Sequence, residues 1–220
     1  MSWFHRVFLS SVGKKFWMGI TGVLLCLFIA FHLTANLLFF LGPDPFNGLS
    51  AALEKIPILL ILELKLAALF ALHILLGIVL YFDNRGARGD RYVEYGTKKG
   101  GVSTTVSKTM IFSGLVVLIY IVLHVRAFVF GGIPESNGHA DYYAKNLEVF
   151  SNGIYCLWYV FGVAVLAFHI SHGFQSAFRS IGLNHRVYTP VIEWVSRAAG
   201  VIVGFGFASI PLYVFFFQGA

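Results

Sequence analysis

The residues best suited to chemistry are histidines that lie inside long apolar stretches. Four such stretches contain them, at His32, His73, His124, His169 and His172. An ionisable side chain is costly in hydrocarbon, so each of these is first a candidate for function. A neutral histidine hydrogen-bonded to a neighbouring helix is the structural alternative for any single one. The presence of a histidine in each of four stretches makes that alternative poor for the set.

The depth of each histidine indicates which ones meet. Counted from the charged residues that bound the stretches on one side, His32 and His124 lie at one level. His73 and His169 lie at a second level, roughly 10 Å closer to that side at the rise of an α-helix. Two imidazoles from different helices at one level are the axial ligands that a low-spin b-type haem requires. The spacing therefore predicts two stacked haems, with these four histidines bound to the iron atoms.

Two other functions compete for the same histidines. A mononuclear zinc or copper site needs its imidazoles around one point, and an offset of roughly 10 Å between the levels disfavours that. A transporter could use histidines as proton relays, but relays do not require matched levels. Neither rival accounts for the pairing.

His172 competes with His169, since it lies three residues further on the same stretch. His73 and His169 are each followed four residues later by a glycine, Gly77 and Gly173, which leaves a gap where a flat macrocycle could lie. His172 lacks that step and matches the level of His73 less well. We therefore expect His169 to be the ligand, and His172 to contact a haem propionate or a quinone oxygen, or to lie at a helix interface.

The elements that must position these residues are transmembrane helices. The chain has 220 residues, 58% hydrophobic and only 12% charged, with a mean hydropathy of +0.78. That composition excludes a water-soluble enzyme or a disordered chain, because soluble proteins carry about a quarter charged residues. We predict one all-α membrane domain, residues 1–220, with five transmembrane helices, four of which form a haem-binding bundle. The spans are expected at about 16–41, 56–82, 109–133, 150–178 and 198–218, each long enough to cross a bilayer.

The charges indicate an orientation rather than a polyanionic partner. The net charge is +6, and most of the 16 Lys and Arg residues lie on the same side as the N-terminus. By the positive-inside rule the N-terminus is cytoplasmic and the C-terminus lies outside. We expect no nucleic-acid partner and no disulfide, and we expect the first span to be retained because it is longer than the core of a signal peptide. No internal repeat is evident.

Several segments together resemble a known family. They are Ser11-Val12-Gly13-Lys14-Lys15, Thr21-Gly22, the run from Phe31 to Leu37, His73-Ile74-Leu75-Leu76-Gly77, Leu123-His124-Val125 and the run from Phe168 to Ser176. The chain is similar, over nearly its whole length, to the single-chain, five-helix dihaem cytochrome b that anchors succinate dehydrogenase and quinol:fumarate reductase in bacterial cytoplasmic membranes.

This resemblance implies a role in electron transfer. The family's anchor binds an iron–sulfur subunit and a flavoprotein subunit on the cytoplasmic face, and electrons pass between them and membrane quinone through two b haems. The dicarboxylate chemistry would then lie outside this chain, which would be the quinone-reactive subunit. The resemblance assigns His73 and His169 to the proximal haem and His32 and His124 to the distal haem. It favours menaquinone, and members also occur as dimers of the heterotrimer.

Three charged residues lie within or beside the spans. Glu63 and Lys65 are on the outer half of the second span, and Arg126 is near the outer end of the third. Glu63 could transfer protons at a quinone site, while Lys65 or Arg126 meets a distal propionate; alternatively Glu63 and Lys65 form an ion pair. Some fumarate reductases of this family carry a glutamate two residues before the proximal ligand, but Ala167 occupies that position here, which puts that proton path in doubt.

Two alternatives stay open at this stage. A purely structural anchor would hold soluble subunits on the membrane without binding haem. Another quinone-linked dihaem cytochrome b, such as the membrane subunit of a hydrogenase, formate dehydrogenase or nitrate reductase, would also pair histidines between helices. The histidine pairs disfavour the first, and only the segments that carry the family resemblance disfavour the second.

Overall fold

The computed structural model describes residues 10–86, 104–136 and 138–218, with side chains of the helix that begins at Thr104 described from residue 109. The predicted all-α membrane fold is confirmed, because five helices in this part of the chain are long and apolar enough to cross a membrane. These helices are α1 (Ser11–Leu37), α3 (Leu59–Gly86), α4 (Thr104–Phe128), α6 (Gly153–Ser180) and α7 (Tyr188–Tyr213).

Shorter elements connect the long helices. They are α2 (Pro43–Glu54), α5 (Tyr142–Ser151) and an antiparallel hairpin of β1 (Glu135–Ser136) and β2 (His139–Ala140). A 3-10 turn, Leu38–Leu41, extends α1, and a π-helical turn, Val214–Gln218, extends α7.

Local sequence signals define where the long helices begin and end. The Ser10 hydroxyl accepts a hydrogen bond from the Gly13 amide at 3.0 Å and caps α1. The Asn152 side chain caps α6 in the same way. These caps satisfy amide groups that have no partner within a helix. Beyond α6, Gly182 has φ +97° and Leu183 donates to the Phe178 carbonyl at 2.9 Å, a Schellman ending that favours glycine.

Four of the long helices form a closed ring. Around the ring α1 packs on α3, α3 meets α4 over a small contact, α4 packs on α6, and α6 returns to α1. Helices α1 and α4 are therefore diagonal to each other, as are α3 and α6, and neither diagonal pair packs closely. With neighbouring axes about 8–10 Å apart, diagonal axes are roughly 12 Å apart, which leaves room for side chains that meet inside the ring.

Helix α7 lies outside the ring, against α6 and α1. Small residues allow it to approach α6 closely: Ser196 is fully buried, and its hydroxyl donates to the Ser171 carbonyl at 2.5 Å. Gly206 packs in the same way against Leu33 of α1. Close contact at small residues is the usual means of helix association in membranes, where burial of apolar surface gives little driving force.

The two short helices cover one end of the ring, which we call the capped end. Phe46 of α2 and Phe150 of α5 belong to a buried cluster with Phe39 of the 3-10 turn that follows α1. Asn47 joins α2 to α5, because its amide donates to Asp141 at 2.8 Å and its carbonyl oxygen accepts from the backbone amide of Tyr143 at 3.0 Å. The cap is therefore held by both apolar packing and side-chain hydrogen bonds.

The opposite end, where α1 begins, carries ion pairs between helices, and we call it the basic end. Lys14 of α1 pairs with Asp83 of α3. Arg179 of α6 pairs with Glu193 of α7 at 2.5 Å, and Arg197 lies 3.6 Å from the same carboxylate. The pairs are partly exposed, so each contributes at most about 1 kcal/mol. Their main effect is to fix which helix ends are neighbours.

The structure moves some of the predicted boundaries. The fifth span was predicted from residue 198, but α7 begins at Tyr188 and includes Glu193 and Arg197. Those charges lie at the basic end, where they pair, so they do not interrupt the helix. The outer segments predicted as connections contain α2 and α5, which are too short to resemble spans.

The contact between α6 and α7 predicts the effect of a small substitution. At Gly200 an added Cβ would lie 1.8 Å from the Ser171 hydroxyl and 2.7 Å from the Ala167 carbonyl oxygen. Gly200→Ala should therefore force the helices apart and cost about 2 kcal/mol of stability, as overpacking does. Thermal unfolding in detergent measures this. Gly48→Ala is the control, since a Cβ there meets nothing within 4 Å; equal melting temperatures for the two variants would contradict the packing described here.

Candidate functional site

Each helix of the ring contributes one histidine to its interior, and α6 contributes a second. His32 lies on α1, His73 on α3, His124 on α4, and His169 and His172 on α6. All five are partly buried, and α7, which lies outside the ring, has none. Because α1 and α4 are diagonal, as are α3 and α6, the predicted pairs are the two diagonals of the ring.

The rings of His32 and His124 are neighbours across the interior of the ring. Their centroids are 5.9 Å apart and the ring planes are nearly perpendicular, at 88°. Two imidazoles bound to one metal, with bonds of about 2 Å each, would have their centroids roughly 6 Å apart. The centroid distance of His32 and His124 is of that size. The Nδ1 atom of His124 is buried without a hydrogen-bond partner in the described part of the chain.

Aromatic side chains surround this pair, which we call the aromatic pair. Phe28 stacks on His32 at 5.4 Å between centroids, and Phe207 of α7 approaches it at 5.6 Å. His124 lies among three further aromatic rings, with centroid distances of 5.2 to 6.0 Å: Tyr120, Phe128 and Tyr159. This shell surrounds the aromatic pair with apolar surface and gives it a low-dielectric setting.

His73 and His169 have a different setting, since each is bound to a hydroxyl group. The Nδ1 atom of His73 lies 3.1 Å from the Thr21 hydroxyl of α1. The Nδ1 atom of His169 lies 3.0 Å from the Ser113 hydroxyl of α4. We call the two histidines the hydroxyl-bonded pair.

Glycine follows each of these hydroxyl residues and admits the imidazole. A Cβ on Gly22 would lie 3.5 Å from Cε1 of His73, and a Cβ on Gly114 would lie 3.4 Å from Cε1 of His169. The Cε1 edge of each ring therefore lies close to the backbone of the helix whose hydroxyl it contacts.

The glycines one turn beyond the two histidines are also matched. Gly77 faces the Met18 methyl group at 3.5 Å, and Gly173 faces the Met110 methyl group at 3.6 Å, again measured from an added Cβ. On these two helices the space beside each glycine is thus occupied by a methionine side chain from the neighbouring helix. Methionine is flexible, so it can repack when another group occupies the space.

These contacts reveal a repeat that the sequence analysis missed. Methionine, Thr or Ser, glycine and histidine follow one another with identical spacing in two helices: Met18, Thr21, Gly22 and His32 in α1, and Met110, Ser113, Gly114 and His124 in α4. The pairs α1–α3 and α4–α6 are therefore equivalent halves. Only four positions carry the repeat, in a background of interchangeable apolar residues, so it becomes evident only when contacts are compared.

The distance between the two levels differs from the prediction. His73 meets α1 at Thr21 and Gly22, whereas His32 lies ten residues beyond Gly22 on the same helix. That corresponds to about 15 Å at the rise of an α-helix, not the predicted 10 Å. The predicted depths were counted from the charged residue at one end of each span, on the assumption that these charged residues lie at one height. The contacts between the helices do not place them at one height.

His172 lacks the contacts that His169 makes. Its Nδ1 atom is buried without a hydrogen-bond partner among the described residues, and its ring packs against Phe168 at 4.5 Å between centroids. His169 alone of the two has a hydroxyl partner and a glycine against its ring. The geometry therefore favours His169 over His172 as the counterpart of His73.

The charged candidates lie apart from the histidines. Glu63, Lys65 and Arg126 are exposed, and in the described part of the chain they form no ion pair, so the suggested pairing of Glu63 with Lys65 is wrong. Glu63 lies towards the capped end. Burial raises the pKa of Tyr142 there, and its hydrogen bond to Glu54 and the Glu63 carboxylate raise it further.

Comparisons with known proteins assign no family and no function to this chain. No protein-family model, curated protein or solved structure matches this chain. Within the described residues there is also no cluster of three or more His, Cys, Asp or Glu side chains able to hold one metal ion. The candidate ligands are therefore the imidazoles on the two diagonals of the ring.

Proposed function

We propose that this chain is the membrane anchor and electron-transfer subunit of a succinate:quinone oxidoreductase, a succinate dehydrogenase or fumarate reductase, with two haem b groups and menaquinone as cofactors. The observation that supports this most is the arrangement of four imidazoles as two diagonal pairs, one from each helix of the ring. Bundle cores are a common location for such cofactors. Bound haem would supply reversible one-electron chemistry.

The chain's own residues have separate tasks in this proposal. His73 and His169 would hold one iron, and His32 and His124 the other. Thr21 and Ser113 orient the first pair, and the aromatic shell excludes water from the second. His172, Lys65 and Arg126 are the residues proposed to contact propionates or quinone.

The proposed partners follow from the family resemblance and the charge distribution. The iron–sulfur and flavoprotein subunits would bind at the basic end, which would be the cytoplasmic face of a bacterial inner membrane, with the C-terminus outside. The heterotrimer would itself dimerise. Five apolar helices are consistent with the lipid contact that this requires.

A second candidate rests on the same imidazole pairs. Another quinone-linked dihaem cytochrome b, such as the membrane subunit of a hydrogenase, formate dehydrogenase or nitrate reductase, would use two pairs in the same way. The subunits that copurify with the chain distinguish these proteins, since each would bring a different redox enzyme.

The haem content of the purified chain tests the proposal. We expect about two b-type haems per polypeptide in a dithionite-reduced minus oxidised spectrum, because two imidazole pairs hold two irons. We also expect a redox titration with two steps. A chain purified with its partners that contains no haem would overturn the proposal and return the histidines to structural or proton-relay roles.

Single substitutions should sort the histidines into pairs. His73→Ala and His169→Ala should remove the same haem signal, and His32→Ala and His124→Ala the other, since loss of one of the two histidines that would hold an iron should release that haem. Visible and electron paramagnetic resonance spectra measure which signal is lost. His185→Ala, in the exposed connection before α7, is the control and should retain both, as should His172→Leu. Retention of both signals in His73→Ala would refute the ligand assignment.

The role of Glu63 in proton transfer is tested separately. In Glu63→Gln we expect quinone-linked turnover to fall by about 10²-fold or more, within the range of about 10²–10⁴ typical of a lost acid–base group, with both haem signals unchanged. Glu135→Gln, on the exposed strand β1 near the same end, is the matched control. Turnover equal to that of the unmodified chain would reject a proton role for Glu63.

A further inference from the structure

The hydrogen bonds of the hydroxyl-bonded pair determine where its protons lie. A hydroxyl group has a single hydrogen and can donate only once. The Thr21 hydroxyl lies 3.0 Å from the Trp17 carbonyl and 3.1 Å from the Met18 carbonyl of its own helix. The Ser113 hydroxyl lies 3.1 Å from the Met110 carbonyl. Donation to the backbone carbonyl one turn back is the usual bond of Ser and Thr within helices.

Burial leaves these hydroxyl groups without solvent as an alternative partner. Thr21 is 2% exposed and Ser113 is 7% exposed. A hydroxyl whose hydrogen is donated to its own helix can only accept from the imidazole beside it. That donation places the second hydrogen on Nδ1 of His73 and of His169, and it leaves each Nε2 atom with a free lone pair.

We propose that Thr21 and Ser113 are positioning residues that fix the Nδ1–H tautomer of His73 and His169, so that both Nε2 lone pairs are available to one iron. The binding of iron by the two Nε2 atoms rests on the proposed function, whereas the tautomer of each histidine does not. The two hydroxyls occupy equivalent positions in the two halves of the ring, so each half orients the histidine of its own pair of helices.

A hydrogen bond accepted from Nδ1–H also changes the ligand's electronic properties. It increases the basicity of the imidazole, and a more basic axial ligand stabilises the oxidised iron and lowers the reduction potential. Loss of either hydroxyl should therefore raise the potential of the same haem. The aromatic pair has no described hydroxyl partner, and His124 Nδ1 is unpaired, so the other haem should be unaffected.

The first test reads the tautomer directly in the full-length chain with its partners. In ¹⁵N-histidine spectra of the reduced complex, His73 and His169 should each show a protected Nδ1–H. Thr21→Val, which keeps the shape of the side chain, should remove that protection at His73 only, and Ser113→Ala at His169 only. Thr34→Val is the control, since the Thr34 hydroxyl donates to the Ala30 carbonyl at 2.9 Å and has no imidazole partner. Unprotected Nδ1 atoms in the unmodified chain, or protection that survives both substitutions, would overturn the proposal.

The second test measures the reduction potential of each haem by redox titration. Thr21→Val and Ser113→Ala should each raise the midpoint of one and the same haem, and weaken its retention by about tenfold, the lower end of the range for lost hydrogen-bond partners of metal ligands. Thr21→Ser and Ser113→Thr should restore both properties. Unchanged midpoints and retention in both variants, or an equal change in Thr34→Val, would refute the effect on the iron.

The two tests separate this proposal from the proposed function. Absence of haem would refute the proposed function while the ¹⁵N spectra still report the tautomers. Normal haem content with unprotected Nδ1 atoms would refute the positioning role alone.

Discussion

The contacts of α3 with α1 and of α6 with α4 depend on one constraint, which is that a polar nitrogen of an imidazole in the apolar interior is stabilised by a partner. Water is not available there, and an unsatisfied polar group costs several kcal/mol. For His73 and His169 a hydroxyl on the adjacent helix satisfies Nδ1, at 3.1 and 3.0 Å. That bond fixes the register of α3 on α1 and of α6 on α4. The glycines beside the hydroxyls follow from it, because a flat ring has to lie against the backbone of the neighbouring helix to reach them.

The rest of the chain holds this ring in place. Helix α7 contributes no histidine, yet it packs against both α6 and α1 through small residues such as Gly200 and Gly206, which limits how far those two helices can separate. The short helices α2 and α5 join the connections of the capped end through Asn47 and Asp141. Ion pairs join α1 to α3 and α6 to α7 at the basic end.

The sequence predicts the helices far better than it predicts the site. The apolar runs around His32, His73, His124 and His169 are long enough to identify the spans without structural information, since their length and lack of charge are sufficient. Boundaries were less certain: Glu193 and Arg197 suggested a late start for α7, although charges at the end of a helix can pair without interrupting it.

The hydroxyl partners show why the site itself was harder to predict. Thr21 and Ser113 are small polar residues in apolar helices, where most such residues only bond their own backbone, as Thr34 does. The spacing of the histidines identified the pairs to consider, but the contact between helices decides which hydroxyl meets which ring. The levels were misjudged for the same reason, because the vertical offset of neighbouring helices depends on side-chain contacts that no single helix encodes.

Because these contacts repeat in the two halves of the ring, they determine how the interior could accommodate a planar group between His73 and His169. Each half of the ring orients its own hydroxyl-bonded histidine, through α1 for His73 and through α4 for His169, and the halves meet closely only where α6 packs on α1. The contact between α3 and α4 is small, so the ring is most open on that side. The orientation of each imidazole is thus set within a half, whereas the gap between the two imidazoles depends on how the halves are held together. A planar group bound between them would therefore meet ligands whose direction is already fixed, and would need to adjust only their separation.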